Sequence, residues 1–301
     1  MPSQPLKLPG DFINRKAERD LFDGLLLLND EARLLAIEDK KGTGKSTLLE
    51  LLEHNCKYIF ELSVSRVPLD ESTINSSITF IERVRNGFGM DLTFETFDEL
   101  NQARLAKNGL AFSPPPPVFT GQVDARGATF SGASPNIKGG VLTVGTLVVG
   151  GPSEWNSELA ELAKTLCIKA FFDDLKSIAN ENKVVVLLDS YERCNVDLRP
   201  WIMDDFLLPL CFKTKSRPTS LVLGLAGREL PDFAGKLGPE RHEKLVRSRS
   251  LSGWEKEHVK DFLKVHGYGS LSDEDVEIVW ERVEKGFSIA AALALAEGLL
   301  G

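Results

Sequence analysis

The chain has 301 residues, 42% of them hydrophobic and 27% charged, with 36 lysines and arginines against 44 aspartates and glutamates for a net charge of −8. That length supports one large or two modest domains at about 150 residues each. The acidic balance argues against a general polyanion-binding surface, so nucleic acid is not indicated as a partner and any phosphate site must build its positive potential locally.

Met1 to Gly10 is polar and proline-bearing, unlike a signal peptide. No stretch approaches the ~18 apolar residues of a membrane span. The best, Val141 to Val149, is interrupted by Thr143, Gly145 and Thr146. Cys56, Cys167, Cys194 and Cys211 form no C-x-x-C pair, which suits reduced thiols in a cytoplasmic protein. His54, His242, His258 and His266 show no metal-ligating spacing.

In chain order, Lys16 to Leu28 places Leu21, Phe22, Leu25 and Leu28 at helical spacing, predicting a helix before the first strand. The apolar run Leu34-Leu35-Ala36-Ile37 reads as that strand. Gly42-Thr43-Gly44-Lys45-Ser46-Thr47 follows, and then Leu48-Leu49-Glu50-Leu51-Leu52, which looks helical. Strand, glycine-bearing loop and helix in this order form a phosphate cradle. Small residues let backbone N–H groups close round the anion, Lys45 reaches the β- and γ-phosphates, and Ser46 ligates Mg²⁺. Where the full G-x-x-x-x-G-K-[ST] pattern has its first glycine, this chain has Asp39. A carboxylate there is unfavourable unless it points away or is offset by Lys40 and Lys41.

Lys57 to Val64 reads as a second strand, with Tyr58, Phe60 and Leu62 alternating, and Ser77 to Phe88 and Phe94 to Leu105 as helices. Composition changes at Gly109 to Pro152, where Pro114 to Pro117 and scattered glycines surround short β-prone fragments. This insertion predicts a linker or a small irregular hairpin, either a tolerated loop or a partner-binding one. Trp155 to Asn180 resumes as an amphipathic helix. Val184 to Leu188 is a strand buried on both faces and ends in Asp189. Arg199 to Leu210 reads as a helix, Ser220 to Ala226 as another buried strand ending in Gly227-Arg228, and Lys244 to Leu251 as an edge strand. Beyond residue 252 the pattern is helical. Capping boxes are expected at Ser252 with Glu255 and at Ser272 with Asp275, and Ile289 to Leu300 closes the chain.

Strands alternating with helices predict an α/β fold, a P-loop NTPase whose parallel sheet is covered by helices on both faces and followed by a small helical lid. The expected divisions are 1–108 and 153–251 for the NTPase domain, 109–152 for the insertion and 252–301 for the lid. An acid at the end of a neighbouring buried strand should help hold the Mg²⁺ shell, and Asp189 has that position. Glu192, one turn on, is either the carboxylate that orients water or a solvated loop acid. Arg228 would contact a γ-phosphate or else pair with Glu229 or another acid.

Together these segments resemble the signal-transducing ATPases with numerous domains, the STAND branch near AAA+ proteins that includes NACHT and NB-ARC modules, in its bacterial form. Phe12-Ile13-Asn14-Arg15-Lys16-Ala17-Glu18 is similar to their F-[IV]-G-R-x-x-E segment, with Asn14 in place of glycine. Val184 to Glu192 and Leu225 to Glu229 look like their Walker B and sensor segments. The resemblance implies base-side contacts from Ile13, Asn14 and Arg15, an adenine nucleotide (ATP or ADP) with Mg²⁺, and self-association or a protein partner. It implies a switch with slow hydrolysis. A working AAA+-type motor and a nucleotide-bound scaffold without hydrolysis are the alternatives. Two further positions depart from the family pattern: Ser190 stands where a second acid is common, and Gly286-Phe287-Ser288-Ile289 lacks the lid proline that touches adenine.

Overall fold

The computed structural model describes residues 15–28, 31–107, 122–123, 137–138, 141–143, 157–213, 217–251, 255–285 and 289–300. The chain divides into two compact units, one formed by Met1–Leu92 with Lys176–Gly301 and the other by Thr93–Leu175.

In the first unit, α1 (Lys16–Leu26) leads to β1 (Leu34–Glu38), the phosphate loop and α2 (Lys45–Tyr58), followed by β2 (Ser63–Pro68) and α3 (Ser77–Gly87). The second unit begins with α4 (Glu95–Lys107) and contains three short strands, β3 (Gln122–Val123), β4 (Ile137–Lys138) and β5 (Val141–Thr143). They form an antiparallel sheet in the order β3-β5-β4. The long helix α5 (Ser157–Glu181) returns the chain to β6 (Val184–Asp189). A 3₁₀ turn at Tyr191–Arg193, α6 (Arg199–Trp201) and a π-helical segment at Ile202–Phe212 precede β7 (Leu221–Gly227). Two short helices, α7 (Phe233–Leu237) and α8 (Pro239–Leu245), lead to β8 (Val246–Arg249). Then come α9 (Lys256–Val265), α10 (Asp273–Glu284) and α11 (Ile289–Leu300).

The main sheet has the order β2-β6-β7-β1-β8, with every neighbouring pair parallel. Parallel strands must be joined by crossovers, which puts helices on the faces and requires central strands to be apolar on both sides. β6 and β7 are buried along their whole length. One face, with Leu35, Ile37, Val185, Leu187 and Val222, packs against Phe22, Leu25 and Leu26 of α1 and Leu48, Leu49 and Leu52 of α2. On the opposite side α3 contacts β2 and the π-helical segment contacts β7, and Phe80 meets Phe206 edge-on at 4.9 Å. These elements make the α/β P-loop NTPase fold.

The second strand differs from expectation. Residues 57–62 are not extended: α2 runs to Tyr58, Ile59 N donates to Asn55 O, and Tyr58, Ile59 and Phe60 are exposed, so their alternation does not mark a buried face. The pairing strand is Ser63–Pro68, whose polar look hides it. Ser65 is fully buried because its hydroxyl donates to Val84 O at 2.7 Å. The helix expected at Arg199–Leu210 is α-helical only to Trp201. It contains Pro209, which has no N–H to give and crowds the carbonyl four residues back, and the wider winding ends in an i→i−5 bond from Lys213 N to Leu208 O.

In the second unit, Phe94 stacks on Phe171 at 5.3 Å and Asp174 accepts from Phe97 N at 2.9 Å, capping α4 from another helix. The three C-terminal helices have their own core of Val259, Leu263, Val276, Val279 and Ala296. Ser272 and Asp275 form the expected capping box. Ser252 lies outside the described residues, and Glu255 is itself the N-cap of α9, paired with His258. Among the described residues no helix is long and apolar enough to cross a membrane.

Candidate nucleotide site

The loop between β1 and α2 makes its turns at two glycines, Gly42 at φ 85° and Gly44 at φ 90°. Both lie in the left-handed region that side chains resist. Gly44 is the N-cap of α2 and no side chain caps that end, which leaves the first-turn N–H groups facing the loop for an anion. Lys45 Nζ donates to Asp39 O at 2.7 Å and also to Lys40 O, so the ammonium rests on carbonyls of its own loop. Burial lowers the Lys45 pKa, against the raising charges of Asp39, Glu192 and Asp189. Thr43 Oγ1 donates to Lys40 O at 3.0 Å, and Thr47 lies in the first turn of α2.

Arg15 is buried and donates through Nη2 to Thr43 O at 2.7 Å, so here it holds the phosphate loop itself. Burial pulls its pKa down, and the charges of Glu18 and Asp39 oppose that. Ile13 and Asn14, expected beside it, lie outside the described residues, as do Gly286, Phe287 and Ser288. The carboxylate of Asp39 turns onto its neighbours: Oδ1 accepts from Lys40 N at 2.6 Å and Oδ2 from Ser250 Oγ at 3.5 Å.

β7 lies between β1 and β6, yet α2 packs on β7, β6 and β2, and its first turn brings Ser46 to the end of β6. Ser46 Oγ donates to Asp189 Oδ1 at 3.1 Å. Asp189 is buried, which raises its pKa. Hydrogen bonds from Ser46 and the Ser190 backbone and the charge of Arg66 act the other way. Ser190, directly after it, is a non-glycine residue at φ 61°, a strained conformation costing roughly 1–3 kcal/mol and typical of functional loops.

Glu192 and Arg228 face one another at the ends of β6 and β7. Arg228 Nε donates to Glu192 Oε1 at 2.7 Å and Arg228 N to Oε2 at 2.9 Å. Burial works to raise the Glu192 pKa, but the Arg228 hydrogen bonds outweigh it and hold the carboxyl below its usual range. The acid that the Arg228 side chain meets is Glu192.

Three further residues take their part in the site only from the fold, Gly227 within the sensor-like segment and Arg199 and Arg66 outside any motif. Gly227 leaves room for Glu192, because a Cβ there would lie 2.9 Å from Glu229 O and 3.2 Å from Glu192 Oε2. Arg199 donates to Glu192 O and Cys194 O, fixing the loop after β6. Arg66, on β2, approaches Asp189 Oδ2 at 3.9 Å. Beside the phosphate loop, a cleft of about 920 Å³ is lined by Asp39, Lys40, Arg228, Phe233, His242 and Ser250 among others, a size usual for small-molecule sites.

The hydroxyl of Ser46 and the carboxylate of Asp189 are hard oxygen donors of the kind Mg²⁺ takes, with its remaining ligands drawn from phosphate and water. The residues present fit that ion.

The strand order and the glycine-turned loop define a P-loop NTPase fold. No protein-family model matches the sequence, and no curated protein does. Among solved structures, the ADP form of the ORC2 protein of Aeropyrum pernix aligns over 97% of this chain and 64% of its own, with 10% identity and a TM-score of 0.48. The Cdc6p structure from Pyrobaculum aerophilum aligns over 88% and 51%, with 15% identity and a TM-score of 0.43. A. pernix ORC1 in complex with DNA aligns over 95% and 58%, with 14% identity and a TM-score of 0.44. The chain thus spans less than two thirds of each.

Proposed function

We propose that the chain is a nucleotide-dependent switch that binds ATP or ADP and hydrolyses ATP slowly. The observation that carries this reading is the meeting of Ser46 with Asp189 at 3.1 Å, beside a lysine whose ammonium rests on carbonyls of its own loop. Backbone N–H groups of the loop and the first turn of α2 would hold the β-phosphate, with Lys45 leaving Asp39 O and Lys40 O to reach the β- and γ-phosphates. Ser46 and Asp189 would hold Mg²⁺, which supplies charge neutralisation on the phosphates when bound. By the family resemblance Ile13, Asn14 and Arg15 would serve the base side, with Arg15 also bracing the phosphate loop through Thr43 O, and the cleft beside Arg228 offers room for the remainder of the ligand. Arg228 would report a γ-phosphate by exchanging its side-chain bond to Glu192 for a phosphate oxygen. Self-association or a protein partner would read the switch, as in STAND modules.

A scaffold that holds nucleotide without turnover is the second reading, favoured by the engagement of both Glu192 oxygens with Arg228, which commits the carboxylate to the arginine rather than to water. An AAA+-type remodelling ATPase would share the site but needs an arginine from a neighbouring subunit and steady turnover.

Titrating ATP and ADP into the purified chain and into Lys45→Ala tests the common core of these readings. Losing a charge-assisted contact worth about 1.5–3 kcal/mol lowers affinity by roughly 10–150-fold. Equal affinity in the variant would remove the nucleotide reading. Phosphate release with Mg²⁺ then separates switch from scaffold.

A further inference from the structure

The two oxygens of Asp189 have different neighbours. Oδ1 accepts from Ser46, while Oδ2 faces the guanidinium of Arg66. Arg66 stands on β2, the edge strand, in register with Leu187 of β6. Its other nitrogens are committed to α2: Nε donates to Glu53 Oε2 at 2.8 Å and Nη2 lies 3.3 Å from Glu50 Oε1. Glu53 also takes Lys57 Nζ at 2.7 Å. A single planar fork therefore ties the edge strand and the helix that starts at Lys45 to the acid at the end of β6. Arginine suits this because its donors point in fixed directions, whereas a lysine offers a point charge. At 3.9 Å the contact with Asp189 acts through charge and direction rather than as a hydrogen bond.

We propose that Arg66 is a positioning residue for Asp189: by occupying the Oδ2 side it keeps Oδ1 turned to Ser46, and so sets how strongly Mg²⁺ and nucleotide binding reinforce one another. This rests on the reading of Ser46 and Asp189 as the metal side of the nucleotide site. Glu53 and Glu50 act one step further out, by orienting the guanidinium. A purely structural Arg66, pinning β2 to α2, would alter stability and leave the metal linkage alone.

The experiment is calorimetric binding of ADP and a non-hydrolysable ATP analogue to the full chain, first in EDTA and then across a Mg²⁺ titration, for wild type, Arg66→Gln, Arg66→Lys and Glu53→Gln. In Arg66→Gln the metal-free affinity stays within about twofold while the Mg²⁺ needed for half-maximal tightening rises about tenfold, the lower end of the 10–100-fold that outer-shell changes produce. Arg66→Lys recovers part of the response and Glu53→Gln shifts it less, in the same direction. An unchanged Mg²⁺ requirement, or an equal loss with and without Mg²⁺, overturns the proposal. Should Arg66→Gln not fold, Arg66→Lys and Glu53→Gln decide on the same criterion. Failure of the nucleotide reading would appear separately, as undiminished binding in Lys45→Ala.

Discussion

Arg228 and Glu192 are joined twice, through the guanidinium at 2.7 Å and through the Arg228 backbone N–H at 2.9 Å, across the C-terminal ends of β7 and β6. The side-chain bond can be exchanged for a phosphate oxygen without moving the backbone, while the second bond keeps the carboxylate in place. A γ-phosphate competing for Arg228 would thus release one oxygen of Glu192 beside the site. Under the proposed function this arrangement would couple sensing of the γ-phosphate to any activation of water.

Arg228→Ala is expected to weaken ATP binding by about tenfold, the worth of roughly 1.4 kcal/mol, while leaving ADP almost unaffected. Competition titrations of the two nucleotides measure it. A parallel loss for both would mean that Arg228 does not distinguish the γ-phosphate.

Glu192 also ties stability to pH. Its carboxyl titrates below the ordinary glutamate value in the folded chain, so the pairing contributes stability above the unfolded pKa near ~4.3 and loses it as pH falls through the lower folded value. Thermal melts of nucleotide-free protein between pH 6 and 3, chosen as an approximate window around those values, should decline less steeply in Glu192→Gln than in wild type. Identical acid limbs would contradict the assignment.

Gly227→Ala places a methyl group 2.9 Å from Glu229 O and against Glu192. Overpacking of this kind costs about 1–3 kcal/mol, and here it should also disturb the Glu192–Arg228 pair. The expected outcome is a lower melting temperature together with weakened preference for ATP over ADP. A variant as stable as wild type would show that the loop yields freely.

All four cysteines are buried, and burial pushes the Cys56 thiol up to about 12 and raises that of Cys211 as well. Native protein at about pH 8 should react slowly with a thiol reagent and rapidly once unfolded. Fast native labelling of Cys56 or Cys211 would contradict their burial.

The phosphate loop, the apolar strands β1, β6 and β7 and most of the helices are legible in the sequence, because their signals are local. Glycines at a positive-φ turn, runs of apolar residues and the Ser272–Asp275 cap each act within a few positions. β2 is misplaced by the sequence pattern because its burial depends on a partner: Ser65 becomes a core residue only when Val84 O accepts its hydroxyl, and Arg66 is tolerated at the sheet edge only with Glu50, Glu53 and Asp189 around it. α7 and α8 are too short to display a period.

The sequence by itself thus determined that a phosphate loop follows a buried strand and that Asp189 ends another. Tertiary structure alone decided that β7 lies between those strands, that Ser46 reaches Asp189 across it, and that Glu192 commits its charge to Arg228. The reason is physical: residue types fix local conformation, whereas the partner of a charge depends on strand order and helix packing, which bring together groups 143 positions apart.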